Sequence, residues 1–565
     1  MFDELDYILQ HFLHWRFWQS FRLVEAVPPP LGSIFGLAEY LASLALFLVV
    51  MTASDFRYTY RLSLTRTNLR KVGFWVGLGI GIAILLTDVW FQNHLPIPKL
   101  ISDANNLKAL LGLLFLLFVF WLISVAIIRP PSFTRANAEQ FFRAHYQFIH
   151  QGNPDRLQVI AEELLRSIER IVAFAAKART NPDSKVTQSV MAEARARHLL
   201  LLIGDRRFCR VVVDRAPAFA FACFLEAQKH MDVRLPIFQF ARNIGQEFIR
   251  NTDSSFYQED SGFDSGLVGY AKPATNIIFG NYRFIEKCAS EGESPIETDY
   301  REFDKFNEKQ MDGYTRAGRA FLESYLVATK AHAHSYALAR MLDSLRTALY
   351  GVHRLDKREN FYESIEYVRL GRVVRFITDS ITLIEKYGIK PSTLRAMKRA
   401  DGDIYDDLAN LIFETIFGAS SVSSPPWTAW SIQHNAVWGE IFGLHNESSY
   451  RIVGIKVRRL LYNEIKRMDE WPNFKGAGIL GYCLHVLGLT LTDRHTGYGK
   501  EFYPLQLMAL RWVKVNFRRL LSDHPKVADA CLQGSISYDS EGHRLVQTYE
   551  NATGREPRRI FFQLD

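Results

Sequence analysis

Three apolar stretches, 33–53, 73–91 and 107–128, stand in the first 130 residues, and more than 400 mostly polar residues follow. Each is long enough to cross a bilayer core of roughly 30 Å as a helix. A helix suits that solvent because its backbone hydrogen bonds close within the segment. The pattern predicts a mainly α protein. Three transmembrane helices come first, a large helical cytoplasmic region follows, and a small β hairpin closes the chain.

A chain of 565 residues exceeds one ordinary core, so several subdomains are expected. Changes in composition divide it into 1–31, 32–131, 132–252, 253–297, 298–534 and 535–565. Residues 5–24 mix Trp and Phe with Arg and His, a combination suited to a helix lying in the membrane–water interface. Pro28, Pro29 and Pro30 end that helix, since proline cannot continue one. The first residues include Asp3, Glu4 and Asp6, whereas a cleavable signal starts basic, so none is expected.

Basic residues beside the spans set an orientation. Arg57, Arg61, Arg66, Arg70 and Lys71 follow the first span, with Asp55 as the opposing acid. Between the second and third lie Lys99 and Asp103, and Arg129, Arg135 and Arg143 come after the third. The first loop and everything beyond the third span therefore read as cytoplasmic. The N-terminus and the second loop read as external, and the protein reads as a multi-pass cell-membrane protein.

Net charge is +8 overall, and only +1 of it falls in residues 1–128. The remaining +7 over about 437 residues is modest and supports no nucleic-acid partner. The cysteines, Cys209, Cys223, Cys288, Cys483 and Cys531, share no Cys-x-x-Cys spacing and read as buried free thiols.

Within the apolar stretches, Gly73, Gly77 and Gly81 recur every fourth residue. Small residues at that spacing let helices approach closely in lipid, so span two is expected to pack on a neighbouring span or on a second copy of the chain. Glu39 and Asp88 are the acids inside the apolar stretches and the candidates for a membrane function.

In the polar region, residues 253–297 lose helical periodicity. Residues 261–284 gather Gly262, Gly266 and Gly269 before Lys272, yet a phosphate loop requires Lys followed by Ser or Thr, and Pro273 stands there. Ser265 likewise misses the Gly-x-Ser-x-Gly nucleophile pattern. Lys272 is kept as an anion-binding candidate. Residues 427–445 place Trp430, His434 and Trp438 four apart, on one face of an α-helix, with Glu440 nearby. His434, Glu440 and Ser265 are the catalytic candidates, and an aromatic core stripe is the simpler account of the first. Arg494, His495 and Lys500 surround Gly497 and Gly499 and are further anion candidates. Residues 401–407 are acid-rich, but Asp406 and Ile412 stand where a calcium loop needs Gly and Glu. No metal site and no cofactor are expected.

The leading functional expectation is a membrane-anchored interaction or sensor protein, with the lipid bilayer and a protein partner or second copy as its contacts. A gated channel using Glu39 is the alternative. A membrane-associated enzyme with an unfamiliar site is the third.

Overall fold

The computed structural model describes residues 23–25, 37–52, 56–65, 69–93, 96–98, 104–124, 130–177, 188–259, 267–330, 334–395, 402–443, 447–549 and 557–565. The expected interfacial helix over 5–24 lies almost wholly outside them. The chain is mainly helical, 73%, and forms two compact units, Met1–Leu202 and Ile203–Asp565.

The first unit holds β1 (Leu23–Glu25), α1 (Leu37–Thr52), α2 (Phe56–Ser63), α3 (Leu69–Gln92), β2 (Pro96–Pro98), α4 (Ala104–Ile123), α5 (Ala138–Gln151), α6 (Pro154–Leu165), α7 (Ile168–Lys177) and α8 (Gln188–Leu202). Two helices are long and apolar enough to cross a membrane, Lys71–Phe91 within α3 and α4 itself. The expectation of three spans is corrected here. The first apolar stretch gives α1, whose 16 residues cover about 24 Å at 1.5 Å per residue, short of a bilayer core.

Burial separates α3 and α4 from ordinary core helices. Only 22% and 17% of their apolar windows are buried. Phe74, Trp75, Leu86, Leu116 and Phe120 all stand more than half exposed. By contrast Phe474–Leu487, an apolar helix of the second unit, is buried from Gly476 onward.

Helices α3 and α4 form an antiparallel hairpin. Phe91 packs on Ala104 and Leu107 at the turn, and Ile84 with Phe115 and Leu122 fills the middle. Asp88 forms an ion pair with Lys108 near that turn. Gly77 and Gly81 receive α1: the Tyr40 hydroxyl donates to the Gly77 carbonyl, and a Cβ on Gly81 would lie 2.9 Å from the Tyr40 ring. Gly73 is buried on the same helix, whereas Gly79 faces open space. The glycine face is thus filled from within the same chain.

Helix α2 docks on α5 and α6. Arg61, 8% exposed, meets Glu163 through two hydrogen bonds, Nε at 3.1 Å and Nη2 at 2.6 Å. Arg57 pairs with Glu162 beside it. Tyr60 is fully buried against His145, whose Nδ1 lies 2.6 Å from the Phe141 carbonyl. A carbonyl only accepts, so Nδ1 carries the proton and Nε2 accepts from the Tyr60 hydroxyl. Burial holds the imidazole neutral, its pKa lowered to about 4. The residues from 56 to 63 and those from 138 to 165 therefore share one end of the hairpin, and β1 pairs antiparallel with β2 at the other end.

The second unit is a helical assembly closed by an antiparallel sheet of β3 (Ile536–Asp539), β4 (Arg544–Tyr549) and β5 (Arg558–Gln563). Asp539 builds the first turn by accepting from Gly542 N at 3.2 Å and Arg544 Nε at 2.8 Å. Gln547 of β4, 1% exposed, accepts from Leu489 N at 3.1 Å and ties the sheet to the helices. Local signals start the helices: Asn307 and Gln310 form a capping box before Glu308–Thr329, and Asp403 with Asp406 forms another before Ile404–Ala419. Lys456, fully buried, sits 2.9 Å from Asp406 and 3.7 Å from Asp403. A lysine ammonium thus stands among the acids of the 401–407 run. All five cysteines are buried and free, and burial pushes the Cys288, Cys483 and Cys531 thiols up to about 12.

Candidate anion-binding cleft

The stretch without helical periodicity, 253–297, folds as short helical pieces: Ser255–Gln258, Leu267–Ala271, a π-helix at Ala274–Phe279, and Tyr282–Glu291. Glu259, wholly buried, organises it. Its carboxylate accepts from Ala274 N at 2.6 Å, Thr275 N at 3.0 Å and Thr275 Oγ1 at 2.8 Å. These are the orphan amides at a helix start, so a buried carboxylate there is satisfied by the backbone. Lys272 precedes this cap with φ of 43°, and its side chain is exposed.

Beside the π-helix lies a cleft of about 1060 Å³. Lys272, Arg283, Arg316 and Arg319 line it, with Thr275, Asn276, Asn281 and Ser324 as hydrogen-bonding groups and Glu323 as the one lining acid. Glu323 is already engaged: Tyr387 Oη donates to it at 2.6 Å and Lys386 Nζ at 3.0 Å, which hold its carboxyl below the usual range. Arg316 is fixed by stacking 3.8 Å over Phe256 and by donating to the Phe256 carbonyl at 2.6 Å. Arg319 reaches Asp379 at 3.3 Å, an exposed pair of little energetic weight. Among the described residues, Lys272 and Arg283 show no ion pair. The cleft is therefore cationic, rigid on the Arg316 side and unsatisfied on the Lys272 side. Such an arrangement suits a ligand with more than one anionic group, because arginine forks bind phosphate and carboxylate oxygens in pairs.

A second cleft, about 610 Å³, makes a useful contrast. It is lined by Asp343, Arg346, His353, Asn410 and Glu414 among others. Its charges cancel: Arg346 pairs with Asp343, and Glu414 with Lys475 at 3.0 Å.

Of the residues singled out from the sequence, only Lys272 joins the cationic cleft. Ser265 lies outside the described residues. His434 sits on a second π-helix, Ser431–Gly439, stacked on Trp430 at 4.0 Å and 9°. The wider π turn breaks the expected single face. Trp438 turns inward, 1% exposed, to Phe442 and Phe502, while His434 stays partly exposed. Glu440 is exposed and its charge acts on Tyr367. Arg494 lies 4.1 Å over Tyr503 and donates to its hydroxyl, while His495 and Lys500 are exposed around a Thr496-capped helix start. Glu39 is exposed in the first turn of α1. Among the described residues, no group of three or more His, Cys, Asp and Glu is arranged to hold a metal.

Sequence reasoning missed Arg283, Arg316 and Arg319. The signal was present in Glu308–Thr329, where positions 316, 319, 320, 323, 324 and 327 recur at helical spacing along the cleft wall. Comparison with protein-family models, curated proteins and solved structures finds no match to this chain.

Proposed function

We propose that this chain is a membrane-anchored sensor whose second unit binds a phosphate-bearing polyanion at the cytoplasmic side. The cationic Lys272–Arg283–Arg316–Arg319 cleft carries the ligand half of this reading. The lipid-facing hairpin supports the anchor half. Trp75 and Trp121 stand at its α2 end and Trp90 near the other, the placement of interfacial aromatic belts. Trp75 and Trp90 are about 22 Å apart along α3. The side of the hairpin that carries α2 is the basic side, so it faces the cytoplasm on this reading.

Calorimetric titration of the purified full-length chain in detergent with inorganic tripolyphosphate tests the ligand. Saturable binding is expected, falling with salt, and weaker by about tenfold or more in a Lys272→Ala/Arg283→Ala variant. Both side chains are exposed, so the variant should melt with the parent. Absence of binding, or binding indifferent to the variant, would overturn the cleft. A phosphatase fusion at Asp565 that is active outside the cytoplasm would overturn the orientation.

A further inference from the structure

The cationic cleft has an apolar neighbour that a soluble polyanion would leave in water. Leu267–Ala271 is a short helix running directly into Lys272. It turns Gly269 inward, where it is buried. Leu267 and Tyr270, three apart and so on one face, stand 82% and 77% exposed. Among the large apolar side chains of the described residues these two are the most exposed, above Phe74 and Trp75 of the hairpin at 56% and 66%.

This piece is fastened to the cleft wall. Asn276, which lines the cleft, donates through Nδ2 to the Ala271 carbonyl at 2.9 Å. Tyr270 is two residues from Lys272, so their Cα atoms lie within about 7 Å of each other. A further apolar group belongs to the cleft itself: Val327, 62% exposed, lines it from the helix Glu308–Thr329.

The polar lining keeps donors to offer. Asn281 spends its Oδ1 on the Phe284 amide at 3.1 Å, which leaves its side-chain nitrogen for another oxygen. Ser324 Oγ accepts from the Tyr282 amide at 3.0 Å and still has a proton to give. With the arginines and Lys272, these groups suit phosphates carried on a hydroxyl-bearing ring or chain.

Cations in a cleft and bare apolar side chains beside it are the two parts of a contact with an anionic bilayer. The cations reach headgroup phosphates, each contributing roughly 1 kcal/mol near such a surface. The apolar groups enter the boundary between headgroups and acyl chains, where the amphipathic ring of tyrosine is favoured. The same chain carries α3 and α4, long and apolar enough to cross a membrane, so a bilayer is at hand.

We propose that the cleft takes the multiply phosphorylated polyol headgroup of a membrane phospholipid, while Leu267 and Tyr270 enter the bilayer surface beside it. This rests on the cleft being the polyanion site argued above, and it makes that polyanion a lipid.

The test places a reporter at the tip. All five cysteines are buried, so Tyr270→Cys supplies an accessible thiol for a nitrobenzoxadiazole dye, whose emission moves to the blue when it leaves water. The labelled full-length chain is held in phosphatidylcholine nanodiscs with or without phosphatidylinositol bisphosphate. A blue shift is expected only with the phosphorylated lipid. Lys272→Ala/Arg283→Ala should raise the lipid content needed by about tenfold. Leu267→Ser, at an exposed position, should raise it severalfold. The same emission in both kinds of disc, or a shift indifferent to Lys272→Ala/Arg283→Ala, would overturn the lipid assignment. Tripolyphosphate titration of the same protein separates the two readings. Binding of tripolyphosphate without a lipid-dependent shift means that the cleft takes a soluble polyanion, which overturns the lipid and leaves the sensor standing. Loss of both overturns both.

Discussion

The two units differ in the surface they leave uncovered. In the first, several buried polar groups answer one another. Arg61 meets Glu163, Lys108 meets Asp88, Tyr60 meets His145, and Asn137 donates to the Leu64 and Ser132 carbonyls. The large apolar side chains it leaves exposed lie mainly along α3 and α4. In the second unit much of the apolar surface is inside, and charge is left over in the cleft, where the exposed Lys272 and Arg283 show no ion pair among the described residues. The two histidines condense the contrast. His145 is satisfied at both ring nitrogens, His485 at one. A buried histidine with two partners ties its neighbours together, whereas the second nitrogen of His485 is closed off against Gly534.

The largest expected effect tests the self-sufficiency of the first unit. Glu163→Ala strands Arg61 in a buried site, which should cost about 3–5 kcal/mol, read as a fall in the unfolding midpoint in detergent. The double variant Arg61→Met/Glu163→Ala should recover most of that loss, because two apolar groups leave no charge unpaired. A single variant as stable as the parent would break the contrast.

Acid should act on both units alike. Folded His145 and His485 hold pKa values near 4, while an unfolded histidine titrates near 6.5. As pH falls, the unfolded chain takes up these protons first. Stability is therefore complete above pH 6.5 and is lost between 6.5 and about 4, by on the order of 3 kcal/mol per histidine. Chemical denaturation at pH 7.5 and pH 5 measures it, and a flat profile would count against both burials.

The smaller effects sharpen the picture of the hairpin. Gly81→Val drives a side chain into Tyr40 and should cost about 1–3 kcal/mol. Gly79→Val, in open space, should change stability by less than about 0.5 kcal/mol. Equal effects in thermal unfolding would show that α1 does not pack on this face.

What the sequence revealed was what is local. The apolar α3–α4 hairpin follows from composition alone, and the β3–β4 turn from Asp539 and Gly542, three residues apart. The first expected span did not hold, because apolarity marks a stretch that tolerates lipid without fixing how much of it is helix: α1 is four residues too short for the usual twenty. The π-helices were hidden, since a 3.6-residue period assigns Trp438 and His434 to one face and the wider turn separates them. The cationic cleft draws on positions from 272 to 319, on separate elements, and the buried hydrogen bonds from His485 to Gln433 and from Gln433 to Gln533 join residues 52 and 100 positions apart. No window along the chain contains such sets, so only Lys272 surfaced.

The Arg61–Glu163 pair spans 102 positions, and that separation is also an interval of time. At about 5–20 residues per second, Glu163 leaves the ribosome roughly 5–20 s after Arg61. During that interval the arginine lacks the carboxylate that it meets in the folded chain. Once the acid arrives the same side chain becomes a latch. The pair can close only after both α3 and α4 have been made, so it fastens the two ends of the hairpin together as the last of its helices is completed.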